Sequence, residues 1–95
     1  MTTNDAYFVA YNTKSNQWMV WHSASPVCKT SKFSGVSQYV KEVLYATSIE
    51  KGIPLPRIVT IGIDDKDIIG GLENMRNEAQ GELERKLQQS QPNHI

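Results

Sequence analysis

The apolar residues Ile68, Ile69, Leu72, Met75, Ala79, Leu83 and Leu87 recur at spacings of three and four towards the end of the chain. That period places them on one face of a helix. Asp64 or Asp65 is positioned to cap its start, and Asp67 falls in the first turn, where the helix dipole favours negative charge. Arg85 and Lys86 lie near the other end, as the dipole also favours. The pattern predicts a helix reaching Gln89, about 23 residues and roughly 34 Å long. A globule of 95 residues has an expected radius of gyration of only about 12–13 Å. The helix therefore crosses the whole domain or overhangs it, and the rest of the chain must be built alongside.

Upstream, Ala6 to Asn12 and Gln17 to His22 are aromatic and β-branched runs separated by the polar cluster Thr13-Lys14-Ser15-Asn16. They predict an antiparallel hairpin. Ser23 to Pro26 breaks the pattern, and Val27 to Phe33 suggests a shorter third strand whose Lys29 and Lys32 suit an exposed edge. Ser34 is placed to cap a helix carrying Val36, Tyr39, Val40, Val43, Leu44 and Thr47 on one face, with Gly52 and Pro54 to stop it. Arg57 to Ile63 reads as an interior strand, because it is apolar on both sides. The order is β-β-(β)-α-β-α, a single α+β domain over residues 1–95 with an antiparallel-containing sheet, a long C-terminal amphipathic helix and a tail at 90–95. Val40, Val43, Val59, Ile61 and Leu72 are expected to be buried together.

Charge and cysteine content narrow the function classes. Ten basic and ten acidic residues cancel, so no global attraction to nucleic acid or anionic membrane exists. Residues 1–47 hold four lysines against Asp5 and Glu42, while residues 48–95 hold an acidic excess. Such a dipolar chain suits a complementary partner, or itself head to tail. Cys28 is the only cysteine, which excludes an intramolecular disulfide framework. No signal-peptide pattern and no apolar stretch of about 20 residues is visible, and a cytoplasmic location is expected.

No sequence feature carries a complete catalytic or metal-binding pattern, and no cofactor is expected. His22 and Cys28 could form a base–nucleophile pair, but no third orienting group accompanies them. Asp64, Asp65 and Asp67 could hold a hard cation, yet helix capping accounts for them fully. The aromatic hairpin is more informative. Either helices cover both sheet faces and its rings are core, or one face stays open as a binding surface, where Tyr and Trp are favoured. Tyr7, Tyr11 and Trp18 are the candidate partner-binding residues of that face. Arg76, Leu83 and Leu87 are candidates on the long helix, whose stripe continues to where a monomer has little core left to cover it, so a homodimer or another protein partner is expected. The alternative is a weak nucleic-acid-binding surface with Lys14, Lys29 and Lys32 as phosphate contacts.

The aromatic hairpin, Ser25-Pro26-Val27-Cys28-Lys29-Thr30, the helix through Val43-Leu44, and Glu50-Lys51-Gly52-Ile53-Pro54-Leu55-Pro56 together resemble the N-terminal domain of HicB-type antitoxins. The resemblance covers residues 7–61. It implies a β-β-β-α-β domain of degenerate RNase H-like fold and a small RNase toxin as partner, and it assigns no site residue. The reading that results is a non-enzymatic protein-interaction module, a small antitoxin-like regulator or inhibitor.

Overall fold

The computed structural model describes residues 6–90. Residues 91–95, most of the expected tail, lie outside the described residues. Strands β1 (Ala6–Asn12), β2 (Gln17–His22) and β3 (Ser25–Thr30) form an antiparallel meander. Helix α1 follows as three consecutive segments, Phe33–Tyr39, Val40–Tyr45 and Ala46–Lys51. Strand β4 (Arg57–Thr60) then pairs in parallel with β1, giving a mixed sheet of order β3-β2-β1-β4. Helix α2 (Lys66–Ser90) closes the described chain.

The turns follow from local chemistry. Asn12 Oδ1 accepts hydrogen bonds from the backbone N–H groups of Lys14 (2.9 Å) and Ser15 (3.3 Å), an Asx-type turn that fixes the first hairpin. The second hairpin is tighter: His22 pairs with Ser25, and the two residues between, Ser23 and Ala24, have φ of 54° and 65°. Positive φ at both positions is what a two-residue type I′ turn needs, and asparagine or glycine usually supplies it. An alanine held there is strained, so Ala24→Gly is expected to stabilise the fold by roughly 1 kcal/mol, read from urea melts. An unchanged or lowered midpoint would mean the turn relaxes in solution.

Helix α1 departs from the expected pattern in its middle. Val40–Tyr45 is a π-type segment, in which hydrogen bonds span five residues and a turn holds more than four. Residues four apart therefore stay on one face: Val36, Val40, Leu44 and Ser48 are all buried, with Tyr45 beside them. Val43, placed in the core by a 3.6-residue period, rotates outward and is 44% exposed. At the N-terminus the cap is Lys32, not Ser34, with no side-chain cap bond. At the C-terminus Gly52 adopts a left-handed conformation (φ 68°), and its N–H and that of Ile53 bond to the carbonyls of Ile49 and Ser48. Those two bonds satisfy the end of the helix as a glycine stop should.

β4 is shorter than expected and lies at an edge, not in the interior. It ends at Thr60, and Gly62 (φ 68°) turns the chain away. Ile61 is left 53% exposed, while Ile63 reaches back against the core. Val59 alternates to the opposite face from Ile58 and is absent from the core cluster. The five-residue core expected above thus reduces to Val40 and Leu72 as buried members. The cluster that forms holds Val9, Val20, Val36, Val40, Leu44, Tyr45, Leu55, Ala79 and Leu83, between one sheet face and the two helices.

α2 starts at Asp65, whose carboxylate accepts from the N–H groups of Asp67 (2.9 Å) and Ile68 (3.4 Å). Its stripe is turned onto its own chain: Leu72, Ala79 and Leu83 are buried. Further on, the Lys86 ammonium donates to the Glu50 carbonyl (2.9 Å), tying the last turns of α2 to the end of α1.

Candidate functional site

Strand alternation and pairing divide the sheet into two unlike faces. On one, Val9 pairs with Val20 and Val20 with Cys28, and all three pack into or against the core cluster under α1. On the other, Phe8 faces Trp21 across β1 and β2, Ala10 faces Met19, and Phe8 also faces Val59 on β4. None of these five residues belongs to the core cluster. Phe8 is 36% exposed, Ala10, Trp21 and Val59 are half-buried, Met19 is buried among them, and Val27, at the β2–β3 irregularity, is exposed. Among the described residues no helix packs on this face.

Among the described residues the charged groups of this face are Lys29, opposite Met19 on β3, and Arg57, opposite Ala6 on β4. Both are cations and both are exposed. No acidic residue occurs between Asp5 and Glu42 or within β4. The described acidic groups sit instead on the helices and on the loop before α2. Asn12 and Gln17 close the hairpin end, with the Asn12 amide 3.8 Å from the Met19 sulfur. The arrangement is an apolar centre with aromatic rings and a polar rim whose charges among the described residues are cationic, the anatomy of an interaction surface.

The residues expected to bind a partner fall elsewhere. Tyr7 stacks on His22 at 4.2 Å, and Trp18 meets Phe33 edge-on at 5.1 Å; Tyr7 and Trp18 both pack against the core on the α1 side. Tyr11 is 40% exposed, sits edge-on to Trp18, and its hydroxyl donates to Asn16 Oδ1 (3.3 Å). Alternation sorts the hairpin residues into two sets without saying which a helix covers; Tyr7 and Trp18 belong to the covered set, Phe8 and Trp21 to the open one. Leu83 is 3% exposed, inside its own domain's core. Leu87 is 39% exposed and lies over Gly52. Arg76 donates to the Pro56 carbonyl (2.7 Å) and lies beside Tyr45. Lys14 is at the hairpin tip and Lys32 at the start of α1, so of the three lysines only Lys29 joins the open face. Arg57 was missed, since only the parallel register with β1 brings it there.

Two further features have less to offer. Burial raises the Cys28 thiol above its ordinary value of 9.0, which keeps it protonated and poorly nucleophilic at neutral pH. A groove of about 780 Å³ runs between α1 and α2 over Tyr45, Ile49, Met75 and Ala79, but Lys41, Glu42, Glu82 and Arg85 give its rim both signs of charge. Among the described residues no group of three or more His, Cys, Asp or Glu is placed to hold a metal ion. None of the helices there is long and apolar enough to cross a membrane.

Fold and surface together define an α+β domain with a half-covered four-stranded sheet. No family model, curated protein or solved structure matches the chain.

Proposed function

We propose that this chain is a non-enzymatic protein-interaction module, a small antitoxin-like regulator or inhibitor, which docks its partner on the open sheet face. One observation carries the reading: Phe8, Trp21 and Val59, exposed or half-buried around the buried Met19, form an apolar strip that no described helix covers. Aromatic residues and methionine are enriched at such surfaces, and large aromatic anchors dominate their energetics.

The test is a comparison of the wild type with Phe8→Ser/Trp21→Ser in affinity capture from the native cell, with mass spectrometric identification. A protein recovered at near-equal amount with the wild type is expected to fall at least about tenfold with the double variant, the loss of roughly 1.4 kcal/mol or more from two aromatic anchors. Far-ultraviolet circular dichroism checks that the variant is folded. Recovery of the same proteins in the same amounts would move the docking surface off this face.

A further inference from the structure

We infer that the open face selects a partner protein whose contact surface is apolar at its centre and acidic at two margins, read by Lys29 and Arg57. The inference rests on that face being the docking surface and adds the chemistry of what docks there. Strand register gives the spacing. Lys29 stands level with Met19 and Ala10, and Arg57 level with Ala6. The two cations are thus separated by three strand spacings across the sheet and four residues along it. At about 4.8 Å per strand and about 3.3 Å per residue, their Cα atoms stand on the order of 20 Å apart. The diagonal between them passes Met19, Trp21 and Phe8, the apolar strip. A partner that fills the strip and reaches both rims must place carboxylates at a matching separation, and a basic partner would bring like charges together at both ends.

The same charge pattern argues against a second copy of this chain. Two open faces stacked about a two-fold axis would oppose cations with cations, and the described residues of the face supply no carboxylate. The acidic surface this chain does own, the outer face of α2 with Glu73, Asn77, Glu84 and Gln88 exposed, has no apolar centre to meet the strip. Single-stranded nucleic acid would use the rings and the cations. But two cations give few phosphate contacts, and Met19, Val59 and Val27 enlarge the strip with groups on which no base stacks.

The test introduces a photoreactive benzophenone side chain as Phe8→p-benzoylphenylalanine or, separately, Trp21→p-benzoylphenylalanine in the full chain, irradiated in the native cell. The cross-linked species is identified by mass spectrometry. The expected product joins this chain to a peptide with an excess of Asp and Glu around an apolar core, with a yield that falls as ionic strength rises. Lys29→Glu/Arg57→Glu should cut that yield about tenfold or more, and Lys29→Gln/Arg57→Gln should cut it less. The exposed positions of both residues make these variants mild for folding. A protein peptide cross-linked without acidic excess, or a yield indifferent to charge reversal, overturns the acidic partner and leaves the docking face standing. Cross-links to RNA or DNA, or to a second copy of the chain, overturn it as well. No cross-link from either position, with capture through another surface intact, removes both the inference and the docking face.

Discussion

Leu83→Ala is expected to lower the free energy of unfolding by about 2–5 kcal/mol, while Leu87→Ala, one helical turn later, costs roughly 1 kcal/mol or less. Both residues continue the same apolar stripe, and the sequence treats them alike. The fold does not. Leu83 is 3% exposed and packs in the central cluster, so truncation leaves a cavity that the sheet and α1 can only partly close. Leu87 is 39% exposed and lies over Gly52 at the end of α1. A domain of this length typically holds only about 5–14 kcal/mol in all, so the first change removes a large share of it. Urea melts monitored by circular dichroism measure the difference, with an unchanged slope showing that the unfolded state is the same. A Leu83→Ala cost under ~1 kcal/mol together with a fall in molecular mass by light scattering would mean that the stripe is an intermolecular contact after all.

The elements were legible wherever a local pattern decides them. The hairpin, the start of α2 at Asp65 and the stop of α1 at Gly52 are each set by residues within a few positions, and each stands where the residues indicate. What failed depends on the rest of the chain. The π-type turn in α1 shifts the buried positions from Val43 and Thr47 to Tyr45 and Ser48, and a single-period reading has no means to see it. β4 looked interior because both its sides are apolar. One side feeds the core through Ile58, and the other joins the open face through Val59, so an edge strand can carry the same pattern.

The candidate site was half legible for a related reason. Period-2 alternation sorted Tyr7, Val9 and Tyr11 from Phe8 and Ala10, and Trp18 and Val20 from Met19 and Trp21. Which set meets α1 is decided by the handedness and length of the connection from β3 through α1 to β4, which no residue in the hairpin encodes. Arg57 could not be placed without the parallel pairing that sets it against Ala6. The absence of acidic residues between Asp5 and Glu42 was visible all along. It gains meaning once those residues are seen to form most of one sheet.

Arg76→Met should be the most costly change of a charged residue, roughly 1–3 kcal/mol, although the side chain lies on the helix stripe and its stem is matched in size by methionine. The guanidinium bridges three elements. It leaves α2, donates to the Pro56 carbonyl at 2.7 Å in the connection before β4, and lies beside Tyr45 of α1. Pro56 is itself buried, and a carbonyl left without its donor costs about 1–3 kcal/mol. Tyr45→Phe leaves the Arg76–Pro56 bond in place, so about 1 kcal/mol or less is expected. The two variants also differ in alkaline solution. Burial raises the Tyr45 hydroxyl above its ordinary value of 10.0, and the Arg76 bond and charge oppose that rise. The unfolded chain therefore releases this proton before the folded one does, and stability falls as pH climbs from about 10 towards the raised value. Without Arg76 the hydroxyl is held higher still, so Arg76→Met should lose more stability over that range than the wild type. Tyr45→Phe should lose less than either. Urea midpoints taken across that pH range decide the point. If the wild type and Arg76→Met decline in parallel while Tyr45→Phe declines less, the guanidinium does not reach Tyr45 in solution, and Arg76 is held by Pro56 alone.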